Sequence, residues 1–203
     1  MDRGPASVEC ILIVLALKCA YPDFVFVNRG NHECRAINNE NGFRREARVR
    51  LGLDAYDAFS RCFLSLPLGV VIADSPAEDG DGAAPTTRIL VLHGGIPVAV
   101  DDGATASVTL DELQRIDRTL EPTRGDRSIL TQVLWNDPHP GVADMESKRS
   151  GWGRQFGSDA TARFLNANAL DGVVRSHEEI TAPFSIVHAG CITSMSLQPL
   201  LLP

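Results

Sequence analysis

The sequence predicts a mixed α/β fold, with strands and helices arranged around one or two packed sheets. Two observations support this prediction: short runs of β-branched and aromatic residues recur along the chain, and helical segments separate many of them. The late strands follow one another in hairpin-like succession. At 203 residues, 44% of them hydrophobic, the chain is long enough for one substantial core, so we expect a single domain over residues 1–203.

The N-terminal part of the chain contains three predicted helices and one predicted strand. Residues 6–20 are expected to form a buried core helix with Ser7 as its N-cap, and the run FVFVN at residues 24–28 a buried strand. A polar helix rich in arginine is predicted over residues 38–51. Residues 54–66 place large apolar side chains three and four positions apart, which is typical of an amphipathic helix.

The remainder of the chain contains most of the predicted strands and two further helices. Thr109 and Glu112 form a capping-box pattern that opens a short helix, and Ser158 is expected to cap a helix that runs to Leu170. Residues 117–157 are rich in Gly, Pro and Asp, so loops are expected to dominate there. The predicted strands are LGVVIAD, RILVLHGG, DGVVRSH, FSIVH and CITSM.

Charge and composition argue against several classes of function. The formal net charge is −7 at pH 7 and the pI is about 5.2, which argues against a general binder of nucleic acid or of anionic membranes. The apolar stretch at residues 10–20 is much shorter than the roughly 20 residues that a membrane-spanning helix needs. The five cysteines are scattered without a C-x-x-C pair, so we expect reduced, mostly buried thiols in an intracellular protein of the cytoplasm or nucleus.

Four arginines in the predicted polar helix leave two interpretations open. Arg44, Arg45, Arg48 and Arg50 form either a solvated helix face or a docking site, and the sequence favours the solvated face. The acidic balance of the whole chain does not exclude local basic pockets for a phosphorylated substrate.

Polar clusters follow three of the predicted buried strands. Asn31 and His32 come after the first strand, His93 and two glycines after another, and His177 after a third. Because open α/β sheets bind ligands at the carboxyl ends of their strands, we expect these side chains to converge. Imidazole nitrogen and amide oxygen suit zinc, iron or manganese, so one interpretation is a metal site. The other is a set of separate histidines with structural hydrogen bonds.

Six short motifs occur in order along nearly the whole chain. They are DRG at 2–4, RGNHE at 29–33, HGG at 93–95, LWNDP at 134–138, KRSGWGRQFG at 148–157 and RSHE at 175–178. HGG alone is weak evidence, but the ordered succession of these motifs is not expected by chance. Together they resemble the metal-dependent serine/threonine phosphoprotein phosphatases, within the calcineurin-like metallophosphoesterases. The resemblance implies a β-sandwich flanked by helices that hydrolyses phosphoserine and phosphothreonine in proteins.

The resemblance also implies roles for individual residues. Asn31, His93 and His177 match the ligands of the second of two metal ions, which together clamp a phosphate and activate a water. His32 matches the general acid that protonates the leaving oxygen, and Asp2 matches the carboxylate that holds this histidine. The implied cofactors are divalent metal ions, Mn, Fe or Zn.

Phosphate binding is implied for two arginines. Arg3 matches a guanidinium that binds phosphate oxygens in a bidentate manner, and Arg149 is expected to be the second, with Lys148 and Arg154 as alternatives. The implied partners are proteins that carry phosphoserine or phosphothreonine, together with regulatory subunits. Neither nucleic acid nor a membrane is implied.

Polar and aromatic residues next to these positions are expected to have structural roles. Arg29 and Glu33 should fix the RGNHE loop by hydrogen bonds, and Asp137 should order its Asp-Pro turn. Trp135 and Trp152 are expected to be packing residues.

The sequence departs from the family pattern at both ends. The family's G-D-x-H-G segment and the bridging Asp of its G-D-x-V-D-R-G motif lie upstream of the DRG at residues 2–4, so we expect the ligands of the first metal, one strand and one helix to be missing. The family's S-A-P-N-Y segment and final strands are replaced by TSMSLQPLLLP. We therefore expect at most one metal ion in this chain and weak or no hydrolysis. The alternative function is a pseudophosphatase that binds phosphoproteins or regulatory subunits.

Overall fold

A five-stranded mixed sheet and a three-stranded sheet organise the computed structural model, which describes residues 1–74, 87–98, 107–141, 144–146 and 151–195. The helices are α1 (Ser7–Ala20), α2 (Arg35–Asn41), α3 (Phe43–Leu51), α4 (Leu53–Ser65), α5 (Leu110–Gln114), α6 (Ile129–Trp135) and α7 (Ser158–Asn168). The strands are β1 (Gly69–Ala73), β2 (Arg88–Leu92), β3 (Asp137–Pro138), β4 (Asp144–Glu146), β5 (Arg154–Phe156), β6 (Gly172–Arg175), β7 (Phe184–Val187) and β8 (Ile192–Met195). The mixed α/β fold that the sequence predicts is confirmed.

The larger sheet has the strand order β1-β2-β6-β8-β7 and brings two strand ends to one edge. β1 pairs with β2 in antiparallel fashion, and β2, β6 and β8 run parallel to one another. The smaller sheet has the order β3-β5-β4. Because neighbouring parallel strands end at the same edge of a sheet, the residues that follow β2 and β6 lie side by side. His93 is the first residue after β2, and His177 is the second residue after β6.

Apolar clusters hold the sheet and the helices in place. Phe156 and Phe164 are fully buried against residues of β2, β6 and β8. In a second cluster, built from α1, α3 and α4, the ring of Phe43 contacts those of Phe59 and Phe63. Phe59 and Phe63 are one helical turn apart on α4 and both are buried, so the amphipathic helix predicted there is confirmed.

The first helix forms where the sequence predicts it, but it is not a buried core helix. α1 buries Val8 and Ile11, whereas Ile13 is 59% exposed. A helix that is apolar on all sides needs partners on all sides, and the described residues cover one face of α1. The predicted N-cap is also wrong, because Ala6 occupies that position and Ser7 makes no capping hydrogen bond. None of the helices in the described part of the chain has the length and apolarity that crossing a bilayer requires.

The segment 24–28, predicted as a buried strand, is irregular. Phe24 is 85% exposed and Phe26 is 64% exposed. The segment is linked to β2 by a side chain, since Nδ2 of Asn28 donates a hydrogen bond to the carbonyl of Val91 at 3.0 Å. A β-strand requires a hydrogen-bonded neighbour, and none of the described strands pairs with this segment. Two of the three expected strand ends are therefore strand ends in the structure.

Two segments of the chain contain one helix more than the sequence predicts. Gly42 has a φ of 107°, in the left-handed region, and ends α2, so the single helix predicted over residues 38–51 is two helices. Loops are predicted over residues 117–157, yet α6 forms there. Ser128 is the N-cap of α6, and its side chain accepts a hydrogen bond from the N–H of Thr131 at 3.2 Å.

Of the three helix caps predicted from the sequence, one agrees with the structure. The capping box at α5 is confirmed: the N–H of Thr109 donates to Oε2 of Glu112 at 2.7 Å, and the N–H of Glu112 donates to Oγ1 of Thr109 at 3.2 Å. At α7 the N-cap is Gly157, so Ser158 is the first helical residue and not the cap. α7 also ends at Asn168, before the predicted end at Leu170.

The cysteines are free, as expected, but not mostly buried. Cys10 and Cys19 are exposed on α1, and two others are half-buried. Cys34 is 1% exposed, and this burial raises the pKa of its thiol to about 12. Cys34 is therefore protonated and unreactive at neutral pH.

Candidate active site

Three side chains from separate parts of the chain meet at the edge of the larger sheet. His93 follows β2, His177 follows β6, and Asn31 lies in the loop before α2. Nε2 of His93 is 2.8 Å from Oδ1 of Asn31, and Nδ2 of Asn31 is 3.3 Å from Nε2 of His177. The two imidazole rings are 5.3 Å apart in an edge-to-face arrangement. The structure thus brings together the three side chains that the sequence singles out as metal ligands.

Gly94 lets the end of β2 pass close to α6. A Cβ atom at this position would lie 2.5 Å from the carbonyl oxygen of Val133 and 2.7 Å from the backbone nitrogen of Trp135. The N–H of Gly94 donates a hydrogen bond to the same Val133 carbonyl at 3.0 Å. Because the obstructing atoms belong to the backbone, a side chain at Gly94 would displace His93 from Asn31.

Asp137 orients His177, a role that the sequence did not indicate. Oδ1 of Asp137 is 2.9 Å from Nδ1 of His177 and accepts a hydrogen bond from Nη2 of Arg175 at 2.6 Å. Arg175 is buried and also donates to the carbonyl of Gly94. The expectation that Asp137 orders its Asp-Pro turn therefore misses its main contacts. The position of Asp137 in the LWNDP motif is the sequence feature that could have indicated this role.

His93 is held as a neutral imidazole. Its Nδ1 atom is 3.1 Å from Oγ of Ser176. Burial, followed by the nearby His177, lowers the pKa of His93 to about 3. A neutral ring has a nitrogen lone pair to offer to a metal ion, which a protonated ring lacks.

The Asn31, His93 and His177 cluster fits a divalent metal ion. Manganese, iron and zinc accept imidazole nitrogen and amide oxygen. The 2.8 Å between Nε2 of His93 and Oδ1 of Asn31 is close to the roughly 3 Å between adjacent ligands whose bonds to a metal are about 2.1 Å long. The carboxylate on Nδ1 of His177 is the neighbour that metal-binding histidines commonly have.

The amide oxygen of Asn31 is essential to this candidate site. Within the described ranges, no group of three or more His, Cys, Asp or Glu side chains is arranged to hold a metal. The two histidines alone would give two ligands, and Asn31 supplies the third. An open three-ligand site leaves positions for water or substrate.

His32 and Asp2 form a pair next to the three metal-ligand candidates. Nδ1 of His32 is 3.0 Å from Oδ2 of Asp2, which is 8% exposed. Asp2 also accepts hydrogen bonds from Nδ2 of Asn38 at 3.0 Å and from the N–H of Phe43 at 2.8 Å. With Nδ1 engaged by Asp2, Nε2 of His32 is the nitrogen that can exchange a proton with a ligand. Asn38 was not singled out from the sequence.

Two of these residues have a backbone conformation that is unusual outside glycine. The φ angles are 62° for Asp2 and 77° for His177, both in the left-handed region. Each such residue costs about 1–3 kcal/mol, and such residues cluster at functional sites because the surrounding structure must enforce them. Asp2 belongs to the pair with His32, and His177 is one of the three metal-ligand candidates.

Arg29 and Glu33 fix the loop that carries Asn31 and His32. Oε2 of Glu33 accepts a hydrogen bond from the N–H of Gly30 at 2.8 Å. Arg29 is buried, and its guanidinium donates to the carbonyls of Glu33 at 3.1 Å and Arg118 at 2.9 Å. Burial raises the pKa of Glu33 and lowers that of Arg29. The structure thus assigns both residues the loop-fixing hydrogen bonds expected from the sequence.

Trp135 and Trp152 pack against one side of the site. Their rings stack with centroids 4.5 Å apart, and both residues are buried. The ring of Trp135 also makes an edge-to-face contact with His177 at 5.6 Å. Both tryptophans are packing residues, as expected, and Trp135 limits the movement of His177.

Of the two predicted phosphate-binding arginines, only Arg3 is among the described residues. Arg3 is exposed, and its Nη1 atom lies 3.6 Å from Oε1 of Glu179. This pair places Arg3 beside the loop that carries His177. Arg149 and the alternative Lys148 lie outside the described residues. The role of Arg3 and Arg149 in binding phosphate stays a prediction.

Comparison with known proteins identifies the relatives of this chain. The family model of the calcineurin-like phosphoesterases matches residues 1–179. Serine/threonine-protein phosphatase T of Schizosaccharomyces pombe is 40% identical over 97% of this chain and 37% of its own length. Serine/threonine-protein phosphatase 5 of Arabidopsis thaliana is 36% identical over 98% of this chain and 33% of its own length.

A solved structure has the same fold as this chain. It is a protein serine/threonine phosphatase from Saccharomyces cerevisiae with similarity to human phosphatase PP5. The TM-score is 0.78 at 33% sequence identity, and the match covers 96% of this chain and 54% of the yeast chain. This chain therefore spans well under half the length of the curated relatives above and about half of the yeast chain.

Proposed function

Because the chain belongs to the calcineurin-like phosphoesterase family, we propose that it forms part of a catalytic domain that hydrolyses phosphoserine and phosphothreonine in proteins. The names of its relatives support this proposal, since they are serine/threonine protein phosphatases. The observation that supports it most directly is the convergence of Asn31, His93 and His177 beside the His32–Asp2 pair. In this proposal the metal ligands and the proton donor lie next to each other.

The residues of the site divide the work of hydrolysis. Asn31, His93 and His177 would hold a divalent ion, Mn, Fe or Zn, which when bound polarises phosphate oxygen and lowers the pKa of water. Asp2 holds His32 through Nδ1, which directs Nε2 to give a proton to the leaving serine or threonine oxygen. An imidazole suits this task because its ordinary pKa lies near neutral pH.

Two arginines complete the proposed site. Arg3 and Arg149 would bind phosphate oxygens through their planar guanidinium groups. The position of Arg3 beside Glu179, near the loop of His177, is compatible with a phosphate at the metal. Arg3 would have to leave Glu179 to bind phosphate, a step that an exposed ion pair opposes weakly.

A second candidate function is the binding of phosphoproteins or regulatory subunits without hydrolysis. The donor set favours it: the described residues provide ligands for one ion, whereas two-metal phosphatases clamp both the attacking and the leaving oxygen. We propose that residues 1–203 by themselves bind at most one ion and hydrolyse phosphopeptides weakly or not at all. The free cysteines further suggest an intracellular site of action.

Manganese binding to the whole chain tests the proposed metal ligands. We expect His177→Asn to weaken Mn²⁺ binding by at least tenfold, because the loss of a residue that only orients a metal ligand already weakens binding by about tenfold. His139→Asn serves as the matched control, because His139 lies outside the cluster and its ring accepts a hydrogen bond from the N–H of Gly141. Isothermal titration calorimetry gives both the affinity and the number of ions per chain.

Three outcomes of this experiment bear on the metal site and on the two candidate functions. Equal Mn²⁺ affinity in His177→Asn and in the unaltered chain would contradict the metal site. Two ions per chain, together with phosphopeptide hydrolysis at ordinary enzyme rates, would establish catalysis and rule out the binding-only function. One ion without hydrolysis would support the binding-only function for residues 1–203.

A further inference from the structure

A basic groove on the surface of α2 and α3 shares no residue with the candidate active site. It has a volume of about 380 Å³ and is lined by Asn39, Arg44, Arg45, Arg48 and Val49. We call it the arginine groove. Three of its five lining residues are arginines and none is acidic, although the chain as a whole has a net charge of −7.

The arginines of the groove lack acidic partners. Within the part of the chain that the structure describes, Arg45 and Arg48 make no ion pair or hydrogen bond through their side chains. Nη1 of Arg44 donates to Oδ1 of Asn39 at 2.9 Å, while its buried Nε atom has no partner among the described residues. The next arginine on α3 is different, since Arg50 pairs with Glu9 and Glu46.

This arrangement of charges disfavours the helix that carries it. Arg44 and Arg45 lie in the first turn of α3, where the positive end of the helix dipole repels cations. Arg44 and Arg48 are four residues apart, and like charges at this spacing repel one another. Among the described residues, no hydrogen bond or ion pair offsets the charges of the two exposed arginines, Arg45 and Arg48. An anion bound in the groove would offset both the repulsion by the helix dipole and the repulsion between the arginines.

We propose that the arginine groove binds an acidic segment of a partner protein in extended conformation. Side chains on one face of an extended strand repeat every 7 Å or so, and Arg44 and Arg48 are one helical turn apart, about 6 Å along the axis. Carboxylates at alternate positions of an extended segment would therefore have nearly the same spacing as Arg44 and Arg48 along the helix axis. Val49, which is 79% exposed, offers a contact for an apolar residue of the segment. This proposal does not depend on a metal ion or on hydrolysis.

A charge-reversal experiment on the full chain tests the groove. The probe is a short fluorescent peptide in which Glu and Ala alternate, and binding is measured by fluorescence anisotropy at low salt. We expect the double variant Arg45→Glu/Arg48→Glu to bind the peptide about tenfold more weakly or worse, because two attractions become repulsions. The control Arg115→Glu/Arg163→Glu changes net charge equally on α7 and beside α5, and should bind like the unaltered chain.

Three results would overturn the proposal. The first is equal affinity of the Arg45→Glu/Arg48→Glu variant and the unaltered chain. The second is an equal loss in both double variants, since this would mean that net charge and not the groove attracts the peptide. The third is a single-stranded oligonucleotide that competes for the groove more tightly than the peptide, which would point to nucleic acid.

A neutral variant guards against loss of folding. Arg45→Gln/Arg48→Gln removes the charges without adding repulsion, and its thermal midpoint should be equal to or slightly above that of the unaltered chain, because both side chains are exposed and their mutual repulsion is removed. We expect it to weaken peptide binding several-fold. Unchanged binding in this folded variant would overturn the proposal even if the charge-reversed variant failed to fold.

Discussion

At the scale of single residues, two buried amides position the candidate site. Asn31 is 4% exposed and joins the two histidines of the proposed metal site. Asn38 is fully buried, and its Nδ2 atom donates to Oδ2 of Asp2 at 3.0 Å and to the carbonyl of His32 at 2.5 Å. An amide suits both positions because it can donate and accept hydrogen bonds without carrying a charge that burial would penalise.

Replacing Asn38 with leucine should loosen the His32–Asp2 pair. Asn38→Leu keeps the volume but removes both hydrogen bonds, leaving the buried Asp2 with one donor fewer. We expect the free energy of unfolding to fall by about 1–3 kcal/mol, measured by urea unfolding. Asn39→Leu, on the exposed side of the same helix, should change it by less than about 0.5 kcal/mol. A stability loss as small in Asn38→Leu as in this control would contradict the assigned role.

At the scale of elements, the junction between β2 and α6 determines the position of His93. β2 ends at Leu92, and the next residues pass close to the backbone of α6 at Val133 and Trp135. The approach is so close that only glycine fits at position 94 without a shift of the backbone. Arg175 at the end of β6 donates to the carbonyl of Gly94 and so links the two strand ends. The spacing of the metal ligands therefore depends on helix–strand packing as well as on the sheet.

Replacing Gly94 with alanine should disturb this junction. The added Cβ would lie 2.5 Å from a backbone oxygen, so a strand or helix must shift. We expect Gly94→Ala to lower the free energy of unfolding by about 1–3 kcal/mol and to weaken Mn²⁺ binding, measured by thermal unfolding and calorimetry. Gly141→Ala is the control, since its nearest atom would lie at 3.8 Å. If the two variants behaved alike, the close approach at Gly94 would be irrelevant.

At the scale of the whole molecule, a set of large apolar side chains is exposed on and beside α1. Ile13 is 59%, Phe24 85% and Phe26 64% exposed. Large exposed apolar side chains favour association, whereas buried aromatic residues such as Phe63 stabilise the fold. The exposed apolar residues thus lower solubility, whereas the buried aromatic residues raise stability.

Two phenylalanine variants should separate these effects. Phe24→Ala is expected to reduce self-association, measured by light scattering, and to change the free energy of unfolding by less than about 0.5 kcal/mol. Phe63→Ala should lower the free energy of unfolding by about 3–5 kcal/mol, because Phe63 is 1% exposed. A large loss of stability in Phe24→Ala would show that Phe24 packs against the fold.

Features that depend on neighbours along the chain could be predicted from the sequence. The aromatic spacing of α4 and the capping box of Thr109 act within one helix, so their patterns sufficed. The ordered motifs also indicated the family before any fold was known, because they record a set of side chains needed together. What the motifs implied for Arg3 and Arg149 stays a prediction.

Features that depend on partners distant in sequence became visible only in the folded chain. Residues 24–28 have strand-like composition, but no described strand pairs with them, and a strand exists through its neighbour's hydrogen bonds. The buried helix expected at α1 is exposed on one side for a similar reason, since burial requires a covering element. Asp137 looks like a turn residue in the sequence and becomes the partner of His177 when β6 and the end of α6 come together. Local patterns fix local conformation, whereas pairing, burial and side-chain contacts are set by which segments meet.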